Sequence, residues 1–168
     1  VVTMSHTGYV KAQPLTEYRA QKRGGRGKQA TSIKQDDFVE SLFTANTHDF
    51  ILCFSNLGQV YWLKVYEVPR AGRGSRGKPI VNLLKLLPHE KVTSILPIKS
   101  FDDDRYVFMA TLKGTVKKTP LSDFSRPRQS GIKAVQLDAS DYLIGSIITD
   151  GKQDILLLSS KGKCVRFN

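Results

Sequence analysis

Twelve basic residues and no acidic one occupy three short stretches of this 168-residue chain, 19–28, 69–78 and 125–133. The first holds Arg19, Lys22, Arg23, Arg26 and Lys28, the second Arg70, Arg73, Arg76 and Lys78, and the third Arg126, Arg128 and Lys133. Elsewhere 14 basic residues face 15 acidic ones, so the formal charge of +11 resides in these three stretches. Such side chains are suited to phosphate: arginine donates two parallel hydrogen bonds from a planar fork, and lysine adds a compact charge. The glycines between them allow tight turns and leave main-chain N–H groups free to face an anion. Charge gathered into three loops, rather than spread over a surface, points to a polyanion.

Other chemistries find little footing. Gly25-Arg26-Gly27-Lys28-Gln29 lacks the spacing of a nucleotide-binding P-loop. His6, His48 and His89 have no ligand spacing and read as turn or packing residues. Asp102-Asp103-Asp104 reads as a solvated loop rather than a Mg²⁺ site. Cys53 and Cys164 stand apart with no CxxC or CxxH, which suggests two part-buried thiols in a reducing cytoplasm. Trp62 and the Tyr and Phe residues fall at strand positions and read as core or sheet face. With 40% hydrophobic and 24% charged residues the chain has the make-up of a folded domain with its own core. No apolar run reaches the roughly 18 residues of a membrane span, and no signal-peptide pattern opens the chain.

The elements that must hold the loops recur. Gly8, Gly58, Gly114 and Gly162 are 50, 56 and 48 residues apart. Each has Ser or Thr three positions earlier (Ser5, Ser55, Thr111, Ser159), follows an apolar run, and is followed two positions later by Val10, Val60, Val116 or Cys164. This predicts strand, tight turn with glycine at positive φ, strand. A second glycine follows 19, 19 and 17 residues on, at Gly27, Gly77 and Gly131, and the basic stretches lie between. After each comes a short segment (Gln29-Ala30, Pro79-Ile80, Lys133-Ala134-Val135) and then an acidic residue, Asp37, Glu90 or Asp141, leading an apolar strand. Repeats of this length fit a blade of four short strands. The approximate repeats are 1–49, 50–105 and 106–154, with a partial one at 155–168. No long segment keeps a helical period, so the fold class is all-β, with equivalent basic loops on one circumference.

The heptad Gln21-Lys22-Arg23-Gly24-Gly25-Arg26-Gly27 closely resembles the gyrase-A box, the signature of the C-terminal DNA-wrapping domain of the gyrase A proteins of bacteria. Ser5 to Lys11, Pro14 to Tyr18, Ala45 to Asp49, Gly77 to Leu84 and Thr111 to Thr119 agree with that family, so the resemblance covers essentially the whole chain. It implies a β-pinwheel, a propeller-like ring of four-stranded blades whose neighbours exchange strands. About three blades and part of a fourth are expected here, roughly the first half of a ring, with unpaired strand edges at the ends.

The resemblance further implies sequence-independent binding of double-stranded DNA and its chiral wrapping, which lets the holoenzyme introduce negative supercoils during ATP-dependent strand passage. The expected DNA-binding residues are Gln21 to Gly27 with Arg19 and Lys28, then Arg70, Arg73, Arg76 and Lys78, then Arg126, Arg128 and Lys133. No catalytic residue, metal or cofactor is expected in this chain, ATP and Mg²⁺ being used elsewhere in the enzyme. The implied protein partners are the gyrase A N-terminal domain and gyrase B in an A2B2 assembly, in the bacterial cytoplasm with the nucleoid and without a membrane. Two rivals are the C-terminal domain of the homologous topoisomerase IV protein, where the box is typically degenerate, and a non-catalytic protein-binding propeller.

Overall fold

The computed structural model describes residues 1–27, 30–31 and 36–168, and among them it holds thirteen β-strands, four 3-10 turns and no α-helix. Four antiparallel hairpins form where the glycine-centred units predict them: β1 (Val2–Ser5) with β2 (Tyr9–Ala12), β4 (Phe50–Ser55) with β5 (Gln59–Lys64), β8 (Tyr106–Thr111) with β9 (Val116–Pro120), and β12 (Ile155–Leu158) with β13 (Cys164–Phe167). Gly8, Gly58, Gly114 and Gly162 have φ of 84°, 75°, 90° and 72°. The recurrent hydroxyl has a plain purpose. The Oγ atoms of Ser5, Ser55, Thr111 and Ser159 accept the N–H of the residue after the glycine, at 3.2, 3.3, 3.0 and 3.1 Å, and so close each turn.

A third strand joins the first of each complete hairpin: β3 (Val39–Phe43) on β1, β7 (Val92–Ile98) on β4, and β11 (Leu143–Thr149) on β8. The fourth strand comes from further along the chain. β6 (Lys78–Pro79) pairs with β2, and β10 (Ile132–Lys133) pairs with β5, at the ends of the second and third basic stretches. The sheet orders are β3-β1-β2-β6, β10-β5-β4-β7, β11-β8-β9 and β12-β13. Neighbouring sheets thus exchange a strand, and the exchanged strand anchors the end of a basic loop. A 3-10 turn at Ile80–Asn82 follows β6 where the sequence between Pro79 and Leu87 leaves strand and helical turn open.

Two cores alternate with the sheets. Val2, Met4, Val10, Ile51, Cys53, Leu63 and Ile95 share the first, and Leu52, Phe54, Val60, Val107, Met109, Leu121 and Leu143 the second. Successive β4 residues therefore serve opposite cores, which is why Phe50 to Phe54 is an unbroken apolar run rather than an alternating one. Cys53 is fully buried and its thiol is pushed up to about 12 by desolvation, whereas Cys164 is exposed, so the two cysteines are not alike as expected. Tyr66 also departs from expectation: it lies in a 3-10 turn and is 60% exposed.

The acidic residue before the third strand is a clamp. Asp37 accepts the Thr7 N–H at 3.0 Å, the Thr7 hydroxyl at 2.6 Å and the Phe38 N–H at 2.9 Å. Asp141 likewise accepts the N–H groups of Lys113 and Tyr142 at 3.0 and 2.9 Å. Burial raises the Asp37 pKa, yet the hydrogen bonds from Thr7, Ser5 and Phe38 outweigh it and hold the carboxyl at about 2. Because the folded value lies below the ordinary one of about 4, this stabilisation is complete above that pH and is lost as pH falls towards 2. In urea titrations Asp37→Asn should therefore start less stable than the parent and lose less between about pH 4 and 2; parallel pH profiles would show that the clamp does not act through its charge. Glu90 has another task, accepting the Tyr61 hydroxyl at 2.9 Å and the Leu87 N–H at 2.7 Å, while Asn56 bridges to Lys91 in its place.

Candidate nucleic-acid interface

In the first basic loop, Arg19 and every residue from Gln21 to Gly27 is exposed. The Gly25 N–H donates to the Lys22 carbonyl at 3.0 Å, closing a turn with Gly24 in the left-handed region at φ 77°. Gln21 folds under that turn, for a Cβ on Gly25 would stand 2.9 Å from Gln21 Oε1. The turn thus spreads Lys22, Arg23 and Arg26 into solvent. Lys28 lies outside the described residues.

The second loop lies along β2 of the first sheet. Ala12 donates to the Pro69 carbonyl at 2.9 Å and accepts from the Ala71 N–H at 3.2 Å. Arg70, Arg76 and Lys78 are exposed, but Arg73 is half-buried, with its Nε 3.7 Å from the Glu17 carboxylate. Beneath the loop lies Lys11, 1% exposed, whose ammonium donates to the carbonyls of Gly72, Arg73 and Ser75 at 3.0, 3.2 and 2.9 Å. Burial lowers the pKa of Lys11, and the nearby Glu17 carboxylate opposes that shift. The third loop is tied to β5 of the second sheet by a side chain instead, Trp62 Nε1 donating to the Phe124 carbonyl at 2.8 Å. Arg126, Arg128 and Lys133 are exposed.

The segments that follow the first and second loops contact the next loop. The Thr31 hydroxyl, at the foot of the first loop, donates to the Ser75 carbonyl of the second at 3.2 Å. In the orientation that satisfies its amide, Gln13 donates to the Ala30 carbonyl and accepts the Arg73 N–H, each at 3.0 Å. Lys85, downstream of the second loop, donates to Gln129 of the third at 3.2 Å. Of the basic residues singled out from the sequence, only Arg73 has a carboxylate partner among the described residues. The positive charge is left to face outward.

Sequence reasoning missed Lys11 and Lys117, whose ammonium donates to the Ala134 carbonyl at 2.8 Å. Both stand three residues after a turn glycine, as does Tyr61, whose ring lies under Gly131: a Cβ there would be 2.7 Å from Tyr61 Cε1. That shared register was the available signal. Asp102 accepts the Ser100 hydroxyl at 2.8 Å in an exposed turn, which is the solvated loop foreseen.

The family model described as DNA gyrase C-terminal domain, beta-propeller, matches residues 1–46, 49–99, 105–150 and 153–168. The chain is 63% identical over 168 residues to the DNA gyrase A protein of Aeromonas salmonicida, covering 100% of this chain and 18% of that protein. It is 56% identical over 167 residues to the DNA gyrase A protein of Escherichia coli K12, covering 99% and 19%. The chain therefore spans about a fifth of the length of these curated relatives. A solved structure of a DNA gyrase A C-terminal domain superposes with a TM-score of 0.73 at 26% identity, covering 99% of this chain and 53% of that one. The C-terminal domain of a DNA topoisomerase IV does so with a TM-score of 0.82 at 28% identity, covering 99% and 50%. Shape is thus shared by both enzymes, and it is the family model and the gyrase A relatives that assign the sequence. Strand-exchanged β-sheets, a glycine-rich basic heptad and these matches agree: the chain belongs to the family of DNA gyrase C-terminal domains.

Proposed function

We propose that this chain binds duplex DNA along its three basic loops, without base readout, and bends it with one handedness. The observation that carries this reading is the arrangement of the loops: contacts from the segments that follow the first and second loops link each to the next, and among the described residues their charges are nearly all unpaired. Basic side chains along such a band would displace counterions from successive phosphates. Among the described residues no helix is available to enter a major groove, so affinity would rest on charge and DNA deformability. The relatives named above are gyrase A proteins, and the matching heptad in this chain is intact. On that basis the domain serves a type II topoisomerase as its wrapping element, beside a gyrase A N-terminal domain and gyrase B, in the bacterial cytoplasm. It performs no bond chemistry, and the ATP and Mg²⁺ of the reaction are used elsewhere.

The test is the affinity for a duplex of about a hundred base pairs across a salt series, for the parent and for Lys22→Ala/Arg23→Ala/Arg26→Ala. Each phosphate contact adds about 0.9 to the slope of log K against log salt, so the triple variant should lose about 2–3 units. Equal slopes would show that the heptad does not touch phosphate. Strong preference for one base sequence would overturn the reading of charge-driven binding.

A further inference from the structure

The second basic loop is shaped from below by a residue that never reaches its surface. Lys11 is only 1% exposed, and its three N–H donors are all taken by loop carbonyls, those of Gly72, Arg73 and Ser75. An ammonium has three donors and no more, so no capacity is left for water or for a ligand. A lysine is seldom fully buried without such compensation, and here every partner belongs to one four-residue turn.

The geometry has a consequence on the other side of the turn. In a trans peptide the C=O and N–H point in opposite directions. Drawing the carbonyls of Arg73 and Ser75 inward to Lys11 therefore turns the N–H groups of Gly74 and Arg76 outward. Neither N–H has an acceptor among the described residues, whereas the neighbouring Arg73 and Ser75 N–H groups are used by Gln13 and by the Gly72 carbonyl. Gly74 carries no side chain to cover them, and a Cβ there would meet nothing within 4 Å. Two outward N–H dipoles beside the exposed Arg76 are donors that one anionic oxygen cluster could accept from together.

We propose that Lys11 is a positioning residue for DNA: it inverts the Gly72–Ser75 turn so that the main-chain N–H groups of Gly74 and Arg76, with the Arg76 side chain, receive a backbone phosphate. This rests on the reading of the second loop as a DNA contact, and it adds a main-chain phosphate subsite together with the buried cation that builds it. The subsite is specific to this loop. At the equivalent position under the third loop stands Tyr61, whose hydroxyl donates to Glu90 rather than to loop carbonyls.

The experiment compares the parent, Lys11→Met, Lys11→Tyr, Arg76→Ala and the two combinations with Arg76→Ala, each by urea unfolding and by duplex binding across a salt series. Lys11→Tyr guards against a Met variant that fails to fold, since tyrosine already occupies this register in the second sheet. Both Lys11 variants should bind DNA about tenfold more weakly at low salt and lose one to two units of salt slope. Adding Arg76→Ala to either should weaken binding less than it does in the parent, because the subsite is already lost. Amide exchange at Gly74 and Arg76 should slow on DNA binding in the parent and stay fast in Lys11→Tyr. A Lys11 variant that loses stability yet keeps the full salt slope would overturn the inference, as would strict additivity with Arg76→Ala. If Arg76→Ala alone leaves the slope unchanged, it is the second loop's contact with DNA that fails. Amide exchange of the free protein would still report whether Lys11 orders the turn.

Discussion

Gly58→Ala should destabilise this chain by about 2–5 kcal/mol and Gly114→Ala by only about 1–2 kcal/mol, although the two glycines hold the same place in the same turn. Their φ angles are 75° and 90°, so the strain of forcing an L-residue into the left-handed region is common to both. What differs is the neighbour. A Cβ on Gly58 would stand 2.5 Å from the Val135 carbonyl oxygen and 3.1 Å from Val135 Cγ1, while one on Gly114 would meet nothing within 4 Å. The contact cannot be relieved by a rotamer change, because the Gly58 carbonyl accepts the N–H groups of Ala134 and Val135 at 2.8 and 3.2 Å. Those residues follow β10, so relief would require moving the exchanged strand that completes the second sheet. Urea midpoints for the two variants read the difference directly. Equal losses would mean that the chain after β10 does not press on the turn, and that strand exchange contributes little to holding the sheets together.

The hairpins were legible because their signals are local. An apolar run, a hydroxyl three residues before a glycine and a valine two residues after it are all read within about ten positions, and each has a nearby physical cause. The start of the third strand was legible for the same reason, since Asp37 and Asp141 bind the N–H of the residue that follows them. The partner of the fourth strand was not. Lys78–Pro79 and Ile132–Lys133 are too short to announce themselves, and their pairing to β2 and β5 spans about seventy residues of chain. That step came from family resemblance, not from the pattern.

The basic loops were legible as charge, but their support was not. Lys11 sits in a strand whose neighbours Val10 and Ala12 face the core or its margin, and a lysine there reads as a solvent-facing residue. Period-two reasoning fails because the blades stack face to face, so both sides of a strand are covered. Arg73 was counted with its neighbours as a free cation, whereas Glu17, fifty-six positions away in sequence, stands beside it. Composition reports how many charges a loop carries. Only the fold reports which of them are already engaged.

Loop order makes the last prediction distinct from one based on charge alone. Removing the middle loop's free cations, in Arg70→Ala/Arg76→Ala/Lys78→Ala, should abolish the bending of a duplex of about a hundred base pairs while leaving it bound. Removing the third loop's, in Arg126→Ala/Arg128→Ala/Lys133→Ala, should leave a smaller bend. Each variant deletes three cations, so counterion release predicts the same loss of salt slope for both, about 2.7 units if every cation meets a phosphate. Bending is another matter. A smooth bend of 40–90° over 20–30 base pairs costs about 1–6 kcal/mol, and it persists only where contacts on both sides of the bent segment hold it down. The second loop is the middle one: Thr31, just past the first loop, donates to its Ser75 carbonyl, and Lys85, seven residues past its end, donates to Gln129 of the third. Without its free cations the first and third loops hold DNA at two separated points, and the segment between them gains nothing by curving. Energy transfer between dyes at the duplex ends, measured at saturating protein, should fall to the free-DNA value for the middle-loop variant and to an intermediate value for the other. A duplex of about twenty base pairs, too short to engage all three loops, should lose similar affinity with either variant. If the two variants reduce end-to-end transfer equally, the loops act as interchangeable charges and no ordered DNA path runs across them.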